Sequence, residues 1–307
     1  MMRNEKGFAL IITLLVTALL VALSVEFIDD VYVGTSSRQN FVDAQQASLM
    51  ANSGVEAGIK LLQLSTSSAG LLLPDPLKNP IQLEDEKGRL VVTIIDESGK
   101  LNLNDVFTPA GSENSFYHGV ATRLLKNANL PLDLLDALSD WRDDNDTPAP
   151  GGAESSFYMA LKQPYIAKNS VLESVEELAL VKGFSHATVE ALKPLITVYP
   201  VERSGIAASK ININTAPIAV LAALTDRMNL ELAKQVDEYR EKSPFKNISE
   251  LGLVPGVEVP PELQSGASVT PSLYRIVSEA TVRETTRTVE AVVPSSNLGQ
   301  YLYWREF

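Results

Sequence analysis

The sequence predicts an α+β protein with a long N-terminal helix, a small antiparallel sheet and a large inserted all-α domain. No proline precedes residue 74, so a single helix from Phe8 to Gln63 is feasible. Strand-like, β-branched runs occur only in residues 88–104 and, near the other end, in residues 273–282 and 286–293. So few strands are not stable separately. We therefore expect them to share one sheet, with the helical residues between them forming the insertion.

Composition excludes several classes of function. The 307-residue chain has a net charge of −12, which argues against a role that depends on neutralising phosphates. It has no cysteine, so disulfides, thiolate nucleophiles and Cys-ligated metals are excluded. Its two histidines, His118 and His186, are too few for a multi-His metal site.

The N-terminal segment is an apolar run, Phe8 to Val25, preceded by Arg3 and Lys6. Eighteen helical residues span about 27 Å, close to the ~30 Å of a bilayer core. The basic flank predicts a cytoplasmic N-terminus. Three interpretations are open: a secretory signal cleaved before Val25, an ordinary anchor, or a leader cut after Gly7 whose apolar helix is retained.

Residues after the apolar run favour a retained helix. Small residues recur on one face, which allows close approach of a packed partner: Ala44, Ala47, Ala51, Gly54 and Gly58. A break at residues 34–37, giving two separate helices, is the alternative.

The helical block contains two similar units that resemble helix-hairpin-helix modules. The first has a capping-box pattern at Ser174 and Glu177 and turns at Gly183. In the second, Asn212 and Asn214 are expected to cap the following helix. The phrase "NINTAPIAVL…EKSPFKNISELGLVPGV" is similar to the DNA-binding module of competence proteins. The acidic surroundings argue instead for a structural role.

An acidic loop, "SDWRDDNDTPAPGGAESSFY", holds the densest set of polar side chains. Such crowded carboxylates repel one another unless a cation separates them, and calcium accepts six to eight oxygen ligands in irregular geometry. A calcium site and a solvated loop are equally compatible with the composition, whereas a hydrolytic carboxylate pair lacks companion residues. The loop is not an EF-hand, because Pro148 stands where that motif needs glycine. The candidate ligands are Asp140, Asp143, Asp144, Asp146 and Glu154.

Taken together, these stretches resemble the minor pseudopilin K family of type II secretion systems. The matching stretches are "KGFALIITLLVTALLVAL", "AQQASLMANSGVEAGIKLL", "IIDESGKLNLN", "LSDWRDDNDTPAPGGAESSFY", "NSVLESVEELALVKGF" and "ININTAPIAVLAAL".

The resemblance implies a domain plan and a processing site. It implies cleavage between Gly7 and Phe8, N-methylation of Phe8, and a pseudopilin fold with calcium bound in the insertion. The expected parts are a leader (1–7), a transmembrane and amphipathic helix (8–63), an α+β domain (64–104 with 268–307) and an inserted α-domain (105–267).

The resemblance also implies a non-enzymatic role without catalytic residues. The protein would sit in the bacterial inner membrane by a single span, with its C-terminal domain in the periplasm. It would initiate assembly at the pseudopilus tip and support export of folded proteins across the outer membrane. The expected partners are minor pseudopilins I and J, pseudopilin H, the major pseudopilin G and the prepilin peptidase, with no nucleic acid. The alternative is a membrane-tethered DNA-binding protein.

Ile12 departs from the general pilin pattern. Most pilin-like proteins have glutamate at this fifth mature position, where it neutralises the N-terminal amine of a neighbouring subunit. An unpaired buried charge costs several kcal/mol. In a subunit with no neighbour above it, an apolar side chain at this position is therefore more stable in the membrane than a charged one. Ile12 predicts a tip subunit.

Overall fold

The computed structural model describes residues 5–65, 75–108, 112–200 and 209–307. Its first element, α1 (Glu5–Ser65), is one uninterrupted helix of 61 residues. The helix runs through Gly34, so the alternative of a break at residues 34–37 is wrong. The first four residues of the expected leader lie outside the described residues.

A five-stranded antiparallel sheet follows, in the order β1-β2-β7-β8-β9. The predicted strand after Gly88 and the predicted C-terminal hairpin share this sheet, as expected. The two outer strands, β1 and β9, were not predicted. The bounds are β1 (Ile81–Asp85), β2 (Gly88–Asp96), β7 (Leu273–Val282), β8 (Thr285–Pro294) and β9 (Tyr303–Glu306).

The C-terminal third of α1 packs against β2, β7 and β8. Ala47, Ala51 and Val55 are fully buried there. Gly54 has no room for a side chain, because a Cβ atom at this position would clash with Ser278 Oγ on β7. The predicted face of small residues is therefore the face of α1 that packs against the sheet.

The helical part lies between β2 and β7 in the chain and has its own apolar core. Besides its helices it contains two short parallel strand pairs, β3 with β4 and β5 with β6. Its α-helices are α2 (Ser115–Asn127), α3 (Asp133–Arg142), α4 (Ser155–Met159), α5 (His186–Leu192), α6 (Ile218–Leu221), α7 (Leu230–Lys242) and α8 (Pro261–Gly266). Its strands are β3 (Leu101–Asn102), β4 (Ile196–Thr197), β5 (Ile211–Asn212) and β6 (Ala267–Ser268). Among the described residues of this part, 3₁₀ helices cover Glu97–Gly99, Leu103–Asp105, Val175–Leu180 and Ile248–Leu253.

Two local predictions in this part are wrong. The capping box at Ser174 does not form, because a 3₁₀ helix begins there and the Ser174 side chain makes no capping bond. Asn212 and Asn214 do not cap α6, which begins after Pro217 without a side-chain cap. Both asparagines instead make long-range hydrogen bonds: Asn212 to Asp96, and Asn214 to the backbones of two distant segments.

Candidate functional site

The acidic loop connects α3 to α4, and its five carboxylates occupy different environments. Asp140 on α3 and Glu154 before α4 are each 2% exposed. Asp143 directly follows α3 and is half-buried, whereas Asp144 and Asp146 are exposed. In the described residues no three His, Cys, Asp or Glu side chains stand in a metal-binding arrangement.

Glu154 is the most unusual side chain in the loop. Both of its carboxylate oxygens are buried and have no hydrogen-bond partner. Burial, and then the charges of Asp140, Asp143 and Asp146, raise the pKa of Glu154 to about 7. These carboxylates are therefore close enough to repel one another. Asp144 does not contribute to the raised pKa of Glu154.

Close packing against α3, and a lysine from the turn at Gly183, hold the loop in place. The Asp140 carboxylate accepts hydrogen bonds from the Ala149 N–H, at 3.1 and 3.2 Å. A Cβ atom at Gly152 would clash with Asp140 Oδ2, so only glycine fits there. Lys182 Nζ donates to the carbonyls of Gly151, at 3.1 Å, and Gly152, at 2.7 Å. The sequence pattern revealed the acids but not Lys182, which lies 30 residues further along the chain.

The loop contains the type of ligand that a hard cation prefers, but not in the geometry that it needs. Carboxylate oxygens are the ligands that calcium prefers. The two carboxylate oxygens of Glu154 are available as ligands, because they have no hydrogen-bond partner. Burial, and then the neighbouring acids, raise the pKa of Glu154, and a bound cation would lower it again. The five acidic side chains therefore have the chemistry that calcium prefers, but they must move closer together to complete a coordination shell.

A second polar cluster, at the end of β2, joins the sheet to the helical part. The Asp96 carboxylate accepts hydrogen bonds from Asn212 and Thr215, each at 2.6 Å. Glu97, fully buried, receives two bonds from Arg275 on β7, at 2.9 and 3.1 Å. Burial alone would raise the pKa of Glu97, but the bonds and charges of Arg275 and Lys100 lower it. Two adjacent acids, Asp96 and Glu97, at the end of a β-branched run were the available sequence signal for this cluster.

The helix-hairpin-helix-like turns have the expected glycine geometry. Gly183 and Gly256 have φ angles of 86° and 83°, a region that favours glycine. The lysine of the first turn, Lys182, is already bonded to loop carbonyls, and Pro255 in the second offers no donor. These turns therefore lack the free cation that phosphate binding requires.

The predicted processing site lies at the start of α1. Gly7 and Phe8 are exposed, as is Ile12 at 46%. Within the described residues α1 is the one helix with the length and apolarity to cross a bilayer, and it fits a single-pass anchor. Apolar side chains remain exposed well beyond the 18-residue run, at Phe27, Tyr32 and Phe41 among others.

Comparisons with known proteins agree on one family. Two family models, both described as type II secretion system protein K, match residues 99–201 and 211–270, together more than half of the chain. The type II secretion system protein K of Klebsiella pneumoniae is 28% identical, over 81% of this chain and 79% of its own length. That of Pseudomonas aeruginosa is also 28% identical, over 82% and 79%.

The fold matches a solved structure. In the crystal structure of the GspK-GspI-GspJ complex from enterotoxigenic Escherichia coli, the matched chain superposes with a TM-score of 0.70 at 22% identity. The match covers 89% of this chain and 99% of that one, and confirms the predicted combination of long helix, antiparallel sheet and helical insertion. The chain therefore belongs to the protein K family of type II secretion systems, the family of minor pseudopilins that its sequence resembles.

Proposed function

We propose that this protein is the minor pseudopilin at the tip of the secretion pseudopilus, where it initiates assembly and supports export of folded proteins across the outer membrane. Ile12 is the observation that carries the tip position. It lies at 46% exposure on a continuous helix, where a shaft subunit would present an acid to the amine of its neighbour. No enzymatic activity is part of this role.

The proposed partners are minor pseudopilins I and J, with pseudopilin H and the major pseudopilin G below them. The structural relative was crystallised in a GspK-GspI-GspJ complex, which supports the first two. Exposed apolar side chains along α1 are the surface that neighbouring helices would cover. Co-purification of the full chain with I and J from membranes tests this; recovery of the chain alone under the same conditions would argue against the complex.

Processing by the prepilin peptidase is proposed to leave Phe8 as a methylated N-terminus. The chain would then stay in the inner membrane with its C-terminal domain in the periplasm. Intact-mass analysis of the membrane-extracted protein should give a chain beginning at methylated Phe8. A Gly7→Leu variant should remain uncleaved. A mature chain that starts at Val25 would contradict the proposal, because it would identify a discarded secretory signal.

Calcium binding in the acidic loop is proposed as a structural function, with Asp140, Asp143, Asp144, Asp146 and Glu154 as ligands. Bound calcium supplies the positive charge that these carboxylates lack. Calcium should raise the thermal midpoint of the full chain relative to chelator, and Glu154→Gln should remove most of that rise. Glu279→Gln, on the exposed face of β7, is the matched control and should keep it. Equal midpoints with calcium and with chelator for the unmodified chain would refute the site.

DNA binding by the helix-hairpin-helix-like units is the competing function. The dependence of DNA affinity on salt distinguishes this function from the proposed one, because phosphate binding weakens steeply as salt increases. We expect no affinity for duplex DNA even at low salt, because the chain is acidic and Lys182 is bonded internally. Salt-dependent binding of DNA that is lost in a Lys182→Ala variant would favour the alternative.

A further inference from the structure

A groove lies between the last strand of the sheet and the helical part. It has a volume of about 1740 Å³ and is bordered by β9 on one side and by the 3₁₀ helix Val175–Leu180 on the other. Pockets for small molecules enclose roughly 300–1,000 Å³, so this volume suits a longer ligand. Three apolar side chains that line the groove are largely exposed: Ile166 at 66%, Val171 at 52% and Leu180 at 48%. Exposed apolar side chains that lie together mark a surface for an interaction partner.

The first wall of the groove includes the outer edge of the sheet. β9 is the last strand in the order β1-β2-β7-β8-β9, and among the described residues no strand pairs with its far side. Thr288 and Phe307 exchange both of their backbone hydrogen bonds, at 2.9 and 3.0 Å. Because inward and outward residues alternate along an antiparallel strand, the N–H and C=O groups of Trp304 and Glu306 point away from β8. Trp304 lines the groove, so an extended chain can bond to this edge there.

The opposite wall contains a cation without a bonded anion. Arg142 lines the groove, and its Nε and Nη1 atoms are buried without a hydrogen-bond partner. Its Nη2 atom donates to the Asn104 carbonyl at 3.0 Å. Burial lowers the pKa of Arg142, and the charge of Asp105 offsets this only in part. A carboxylate from a ligand would therefore stabilise the charged guanidinium, to which it can form paired hydrogen bonds.

Charge complementarity favours an acidic ligand over a basic one. As far as the structure describes them, the other charged side chains that line the groove have partners: Asp105 with the Ser209 N–H, Lys168 with Glu173 and Glu177, and Glu176 with Lys193. A basic ligand would have to compete with these existing pairs. An acidic ligand meets the unpaired Arg142 instead.

We infer that the groove binds an extended peptide segment of a partner protein, one that carries apolar side chains and a carboxylate. The backbone of the segment adds to the edge of β9 at Trp304, as in other complexes formed by strand addition. Its apolar side chains cover those exposed along the groove. Its carboxylate pairs with Arg142, whose guanidinium must turn towards the groove to present its two buried donors. This site depends neither on the tip position nor on calcium.

Intrinsic fluorescence can report occupancy of the groove, because Trp141 and Trp304 are the two tryptophans of the chain and both line it. Short random peptides displayed on phage are first selected on the purified full-length chain. The selected peptides should share an aspartate or glutamate among alternating apolar residues. Their synthetic forms should change the tryptophan fluorescence saturably. A selection that enriches nothing, peptides without an acid, or peptides that leave the fluorescence unchanged would overturn the inference.

Arg142→Gln and Arg227→Gln form a matched pair of variants. Arg142→Gln should weaken the binding of a selected peptide by about tenfold or more, because it removes a hydrogen bond to a charged group. Arg227 is 72% exposed and does not line the groove, so Arg227→Gln should bind as the unmodified chain does. Ser139→Asp is a second variant in case Arg142→Gln does not fold. Its carboxylate lies one turn before Arg142, competes with the peptide and should weaken binding by a similar factor. Equal affinity of the unmodified chain and either of these two variants would overturn the inference.

The strand addition is tested on the peptide itself. Methylation of alternate backbone nitrogens removes the donors that pair with β9, and should reduce binding by at least about tenfold. A peptide that binds equally well after methylation of either alternating set is not held as a strand, and that result would overturn the inference.

Discussion

Glu154 should contribute a dependence of the chain's stability on pH near neutrality. Its pKa is raised from an ordinary 4.5 to about 7, so the folded state holds a proton that the unfolded state has released. Stability in chelator should therefore fall as the pH rises from about 4.5 through about 7. Urea unfolding between pH 5 and pH 8 measures this fall, and Glu154→Gln should flatten it.

Asp144→Asn is the matched control for that titration. Asp144 is exposed and is not among the charges that raise the pKa of Glu154, so this variant should keep the pH dependence in chelator. A pH profile that the Glu154→Gln change leaves untouched would show that the titration belongs to another group.

Arg142, at the end of α3, should be stabilised by an acid placed three residues before it. Its Nε and Nη1 atoms are buried without a hydrogen-bond partner, whereas Arg240 in the last turn of α7 is paired with Asp237, three residues before it, at 2.6 Å. Ser139 precedes Arg142 by the same spacing. Ser139→Asp should raise the free energy of unfolding by about 1 kcal/mol, since it restores an i,i+3 pair.

The opposite change in α7 is the control for Ser139→Asp. Asp237→Ser should lower the free energy of unfolding by a similar amount, about 1 kcal/mol, by leaving Arg240 as unpaired as Arg142. If Ser139→Asp destabilises the chain, desolvation of the new carboxylate outweighs the pairing, and the two arginines are not equivalent.

At the residue scale, the sequence predicted the acids but not the contacts that organise them. Composition identified the acidic loop because five carboxylates within 15 residues are conspicuous. The clash that excludes a side chain at Gly152 and the bonds of Lys182 depend on tertiary approach, which local patterns do not contain. For the same reason Asn212 was interpreted as a helix cap, although its partner, Asp96, lies 116 residues away.

At the scale of elements, the contact between α1 and the sheet should be sensitive to side-chain volume. A side chain at Gly54 would clash with Ser278 Oγ and press on Leu90 and Val92, at 3.0 Å from each. Gly54→Val should therefore lower the free energy of unfolding by about 1–3 kcal/mol, because overpacking displaces the helix. Urea unfolding of the detergent-solubilised chain measures the loss.

Gly34→Ala is the control for this change. Gly34 lies in the same helix with no atom within 4 Å of the added Cβ, so alanine should stabilise the helix by about 0.5–1 kcal/mol. Destabilisation by both variants would indicate a general effect on the helix rather than a clash with the sheet.

The sheet was predicted where strands are buried and missed where they are not. β2, β7 and β8 have β-branched, partly alternating patterns because α1 covers one of their faces. β1 and β9 lie at the two edges and are mainly exposed, so little in their composition distinguishes them from loop. Their strand character arises from pairing with a neighbour and not from burial.

At the scale of the whole molecule, Ile12 predicts how the chain responds to an added charge. Ile12→Glu introduces a carboxylate into the apolar run, at a cost of up to about 3 kcal/mol for insertion. A tip subunit has no neighbouring amine to compensate that cost, so secretion should stay equal or decline. Ile12→Val should leave secretion unchanged. Increased secretion or longer pseudopili from Ile12→Glu would place the chain within the shaft.

The unbroken course of α1 has a mechanical consequence. Its 61 residues form a rod about 90 Å long, and the sheet closes on the last third without an intervening hinge. A pull on the sheet domain is then transmitted axially to the apolar segment, so that each displacement of one helical turn, about 5.4 Å, lifts the anchor by the same distance. If the chain were drawn out of a bilayer, an unbroken helix would leave it in a single rigid stroke rather than by a bend followed by a slide.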